Sequence, residues 1–109
     1  MYTPPEDISM KYRELPESIR LIVNASVNAE YQSMTDLNLE GLLATHITLR
    51  HEYKRALLET KPIDITNPNE VTAYENLLAK YHASRLFAAF LHDKLKKKRS
   101  LLVKNDTIH

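Results

Sequence analysis

Apolar residues recur at three- and four-residue steps along two long stretches of this chain, about Thr35 to Thr60 and Pro68 to about Arg99. In the first, Leu39, Leu42, His46, Leu49, Tyr53 and Ala56 fall on one face. In the second, Tyr74, Leu77, Tyr81, Ser84, Ala88, Leu91 and Leu95 do the same. A repeat near 3.6 residues marks an amphipathic helix. The proline-bearing segment Lys61 to Asn67 joins the two, which predicts a long antiparallel helical hairpin.

Local signals set the ends of the other elements. Asn67-Pro68-Asn69-Glu70 combines an N-cap, a proline in the first turn and a glutamate that completes a capping box. Thr3-Pro4-Pro5-Glu6 reads the same way and predicts a short helix over 4–14. Pro16 disfavours helical geometry at Leu15 and starts a new helix over 16–33, whose face is Ile19, Ile22, Ser26 and Ala29. Thr35 and Asp36 are N-cap candidates for the third helix.

The expected fold is therefore all-α: a small antiparallel bundle built on the hairpin 35–60 and 68–99, with the helices 16–33 and 4–14 before it. Residues 1–99 form one domain in this reading, and 100–109 a frayed tail, because Leu101, Leu102 and Val103 have neither cap nor period. A symmetric return through the loop sets Tyr53 against Tyr74 and His46 against Tyr81. It also puts Arg50 beside Leu78, and Arg85 near Leu42 and Leu43.

Composition narrows the classes. A chain of 109 residues with 43% hydrophobic and 27% charged side chains is ordinary for one globular domain. A single glycine argues against a protein rich in β-hairpins, whose turns need that residue. Cysteine is absent, which removes disulfides, thiolate nucleophiles and cysteine-based metal sites, and suits a reducing cytoplasm. Residues 1–10 lack the apolar core of a signal peptide, and no run is apolar enough to span a bilayer. The net charge of +1 hides a polarity: in the first 45 residues acidic side chains outnumber basic ones seven to three, whereas Lys94, Lys96, Lys97, Lys98 and Arg99 form a basic run.

Candidate chemistry is sparse. His46 and His51 do not share a helix face, and no Glu-x-x-His pair supports a carboxylate-bridged metal site, so neither metal nor cofactor is expected. His46, Tyr53, Tyr74 and Tyr81 line the expected hairpin seam. They either form a polar pocket there or bury their rings and turn their polar tips outward. Arg85-Leu-Phe-Ala-Ala-Phe-Leu-His92 resembles the arginine–histidine motif of the HEPN ribonucleases. That resemblance implies a metal-free endoribonuclease built on a helical bundle, with Arg85 and His92 at a dimer interface; the residue after the arginine, usually polar in that family, is Leu86 here.

Two surfaces remain. The basic run is either a solvated helix end, favoured by the helix dipole, or a contact for nucleic-acid phosphates. A second apolar stripe on the last helix, Ala79, Ala83, Leu86, Phe87 and Phe90, lies nearly opposite the first. Either the 16–33 helix covers it, or Ala83, Leu86, Phe87 and Phe90 bind another protein or a second copy of the chain. The function expected is a non-enzymatic helical interaction module, an adaptor, inhibitor or assembly factor of the kind found in bacteria and their phages. Nucleic-acid association is the alternative, and the ribonuclease comes third.

Overall fold

A computed structural model describes residues 4–35, 38–61 and 63–108, and for 101–108 the backbone alone. Its elements are α1 (Pro4–Ser9), a single 3-10 turn (Tyr12–Glu14), α2 (Glu17–Ser33), α3 (Leu39–Glu59) and α4 (Pro68–Ile108). Among the described residues there is no strand. The fold is an all-α bundle, as the periodicity predicts.

The sequence explains most of the helix ends. Asn67 caps α4: its Oδ1 accepts from the amides of Asn69 at 3.1 Å and Glu70 at 3.4 Å. Pro16 holds Leu15 extended, at φ −70° and ψ 146°, and its carbonyl accepts the first bonds of α2, from Ile19 and Arg20. The N-terminal helix is shorter than the expected 4–14. It stops at Ser9, and the chain re-forms as a 3-10 turn in which the Glu14 carboxylate accepts from the Lys11 amide at 3.2 Å. The Thr3 cap and Asp36 lie outside the described residues.

Helix α3 begins at Leu39 rather than near Thr35: Met34 is extended, and Asn38, at the N-cap, lies outside α-helical dihedrals at φ −140° and ψ 45°. At the other end of the chain the tail expected to fray is helical backbone through Ile108.

Helix α4 is the spine of the molecule. Its 41 residues, roughly 60 Å at 1.5 Å per residue, run nearly the whole 65 Å length of a rod 23 Å by 22 Å in section. Helices α2 and α3 pack along it, and α1 lies against α3 and α4. Its two apolar stripes thus have different neighbours. Tyr74, Leu78, Ala79, Tyr81, Ala83, Phe87, Ala88, Leu91 and Leu95 are all buried. One cluster joins Ile8, Leu15, Ile19, Val23 and Leu57 to the first half of α4. A second joins Leu39 to Phe87, Leu91 and Leu95, and Val27 packs against both clusters.

The hairpin is in a different register from the symmetric one. His46 meets Phe87, not Tyr81, which is six residues or about 9 Å earlier on α4. Tyr53 lines a cleft with Lys80, Ala83 and Ser84 instead of facing Tyr74. Leu42 and Leu43 pack with Phe87, Leu91 and Leu95, away from Arg85. The connection is the cause. Thr60, Lys61 and Ile63 border Glu70, Ala73, Tyr74 and Leu77, so the chain runs back along the first turns of α4 before joining it. The Asp64 carboxylate then fixes the approach to Asn67, accepting from the Thr66 amide at 3.0 Å and its hydroxyl at 2.6 Å.

Candidate interaction surface

The expected partner stripe is divided by the fold. Phe87 is 1% exposed, and Ala83 is also buried. Leu86 is half-buried against the first cluster, and of the four only Phe90 reaches the surface, at 38% exposed. Helix α2 supplies the cover, with Val27 packed on the Phe87 cluster. Because α2 ends at Ser33, the cover runs out just where Phe90 stands.

There Phe90 has an aromatic neighbour from another helix. Tyr31, 55% exposed on the last turns of α2, sits with its ring centroid 5.5 Å from that of Phe90 and its plane tilted by 54°. Phe90 in turn lies 5.9 Å from Phe87, so the exposed pair stands on the buried core. Sequence reading missed Tyr31. It lies 59 residues from Phe90 in the chain, off the apolar face of its own helix, and only the packing of α2 on α4 brings the two together.

One turn further along α4 the basic run begins. Lys94 is half-buried; Lys96, Lys97, Lys98 and Arg99 are exposed. Lys97 pairs with Asp93 at 3.1 Å, and Arg99 reaches Glu40 at the start of α3 at 3.4 Å. All four partners are largely solvated, so these pairs hold little free energy and exchange readily for others.

The tyrosine and histidine seam separates into two sites. His46 borders a cleft of about 300 Å³ between α2 and α3, floored by Ala83, Ser84 and Phe87 of α4. Its Nε2 stands 3.6 Å from the Glu30 carboxylate, while its Nδ1 is buried without a hydrogen-bond partner among the described residues. Solvent does not reach that nitrogen, and the cleft presents apolar wall together with the polar side chains of Ser26, Tyr53, Ser84, Glu30 and Lys80.

The second site lies under α1. Tyr74 donates its hydroxyl to the buried Asp7 carboxylate at 2.6 Å. His82, fully buried, bonds through Nε2 to the Asp7 carbonyl at 3.0 Å. A carbonyl only accepts, so Nε2 carries the proton and the partnerless Nδ1 is the bare nitrogen. Burial is the main reason that the His82 pKa lies below the usual 6.5, and the Arg85 charge pushes the same way; the Asp7 carbonyl and carboxylate oppose them.

Arg85 is half-buried and donates to the Met10 carbonyl at 3.3 Å. His92 is exposed, and among the described residues no hydrogen bond or ring contact joins it to Arg85. Among the described residues, too, no three His, Asp or Glu side chains converge so as to hold a metal ion, and no helix is long and apolar enough to cross a membrane. Compared with known protein families, curated proteins and solved structures, the chain has no significant match in any of the three.

Proposed function

We propose that this chain is a non-enzymatic helical interaction module, and that it docks a partner protein at the basic end of the rod through Tyr31 and Phe90. The observation that carries this reading is the exposed aromatic pair, 5.5 Å apart, in a bundle that buries its other phenylalanine. Aromatic side chains dominate interface energetics because they desolvate a large rigid area at small entropic cost. The pair rests on Phe87 and is therefore held in place before any partner arrives. Further along α4, the exposed cations of the basic run favour a partner that carries carboxylates next to its apolar face. A helix with leucines on one side and glutamates flanking them has that chemistry. A chain without cysteine suits a reducing compartment, and we place the encounter in the cytoplasm.

The test compares two designed amphipathic peptides, leucine-faced and flanked by glutamate or by lysine. The native chain should bind the glutamate peptide more tightly than the lysine peptide. Tyr31→Ser with Phe90→Ser should abolish binding while the circular dichroism spectrum stays helical. Equal binding of both peptides, or binding that survives the double change, would overturn the reading.

A second reading has its own support. The same two rings stand beside a basic run that contains no aromatic itself, and rings next to cations suit single-stranded nucleic acid. Binding of an oligonucleotide by the native chain, lost on changing Lys96, Lys97, Lys98 and Arg99 to alanine, would favour it over the protein partner.

A further inference from the structure

At the end of the rod away from the basic run, three polar contacts fasten α1 and the residue after it to α4, and Ile8 packs into the first hydrophobic cluster. Asp7 takes two of the three contacts, its carboxylate from Tyr74 and its carbonyl from His82; the Met10 carbonyl takes the third, from Arg85. Tyr74, His82 and Arg85 all belong to α4. The helix itself is six residues long, and Pro4, Asp7 and Ile8 are its buried residues. So short a helix has no stability of its own and stays formed only while it is docked.

We propose that α1 is a clasp that acid opens, with His82 as the residue that takes up the proton. The neutral ring already uses its single N–H, at Nε2, on the Asp7 carbonyl. A second proton must go to Nδ1, which is fully enclosed and has no acceptor among the described residues. A buried N–H on a charged ring and without a partner is among the least favourable groups in a protein interior. The groups around it do not compensate. On α4, Arg85 repels the new charge, and the Tyr81 ring meets the imidazole edge-on at 5.0 Å. On α1, the Asp7 carboxylate attracts it but is already bonded to Tyr74. Helices α2 and α3 bring Ile19, Val23 and Leu57 to this cluster, together with the half-buried Tyr53; among the described residues the charges that act on the ring are Arg85 and Asp7.

Water is the remaining acceptor, and the way to admit it is to move what lies over the ring. Helices α2 and α3 are held along their lengths by the two hydrophobic clusters, whereas of α1 only Ile8 belongs to them. The clasp is therefore the element that yields. Its release uncovers Tyr74, His82 and Arg85 on α4, a polar aromatic face absent at neutral pH.

Amide hydrogen exchange on the full chain tests this at pH 7.5 and pH 5.5, with rates corrected for the intrinsic effect of pH. Residues 4–15 should lose protection by about tenfold or more, the equivalent of one pKa unit of linkage, while α3 and α4 keep theirs. His82→Gln places an amide donor on the Asp7 carbonyl and has no proton to gain, so it should remove the acid response. Proton NMR of the His82 ring in the native chain reads the same event without a substitution, and its titration should coincide with the opening of residues 4–15. A ring that titrates while α1 stays protected would overturn the proposal. So would an acid response that persists in His82→Gln, or loss of α4 protection together with α1.

Discussion

His46 on α3 packs edge-on against Phe87 on α4, with ring centroids 4.7 Å apart and planes at 62°. The contact fixes the register of the hairpin and closes the floor of the cleft. Phe87 also carries the second cluster, so Phe87→Ala removes a fully buried ring at a junction of three helices. It should destabilise the chain by about 3–5 kcal/mol, read from urea denaturation. A change below about 1 kcal/mol would mean that the ring is not in the core.

Tyr74→Phe deletes one hydroxyl and leaves the buried Asp7 carboxylate short of a donor. The loss expected is about 1.5–3 kcal/mol, the range for hydrogen bonds to charged groups. Tyr12→Phe is the control, since its bond to Asn24 is exposed and should be worth much less.

Gly41→Ala should stabilise the protein. The new methyl would meet the Asn38 side chain at 2.5–2.9 Å, but that side chain makes no capping bond and is free to turn away. Removing a glycine from the first turns of α3 then gains up to about 1 kcal/mol in helix propensity. A lower melting temperature for the variant would mean that Asn38 is held where it stands.

The pH dependence follows from His82. Its folded pKa is lowered from 6.5, so the unfolded chain takes up a proton that the folded chain resists. The contribution of this residue to stability is therefore fully present above about pH 6.5. It is lost progressively as the pH falls from there toward the folded value. Chemical denaturation at pH 7.5, 6.5 and 5.5 should show falling stability, with a flatter trend in His82→Gln. Equal slopes in both proteins would assign the effect to other histidines.

Breaking the exposed Arg99–Glu40 pair is expected to do little. Arg99→Ala should shift stability by no more than about 0.5 kcal/mol, because both side chains are more than two-thirds solvated. A larger loss would mean that the pair anchors the start of α3.

Much of this architecture is written in short-range pattern. Asn67 announces the start of α4 through its own side chain, and Pro16 announces α2 through the geometry that it denies Leu15. The buried face of α4 from Tyr74 to Leu95 follows from spacing alone. The register does not, and the reason is α4 itself. With apolar residues on two opposite stripes, this helix offers a partner several equivalent slides, and a symmetric loop is only one of them. Ile63 and its neighbours decide the matter by packing back along α4, a tertiary choice with no local signal. The aromatic surface was hidden likewise: Phe90 was visible as part of a stripe, but Tyr31 gains its meaning from where α2 stops. The clasp under α1 joins Asp7 to residues 67 and 75 positions away, beyond the reach of any periodicity.

Helix α4 is also the last of the four helices to be synthesised, and this orders the birth of the protein. Ile19, Val23 and Leu57 lack the α4 part of their cluster until the helix carrying Leu78 and Ala79 has left the ribosome. The first three helices thus emerge as an open chain and wait. Nucleation must bring distant segments onto a single late element, so the nascent chain depends on speed of completion or on protection by a chaperone. A ribosome stalled before Leu91 would release a polypeptide whose second cluster has no floor, ready for proteolysis and not for assembly.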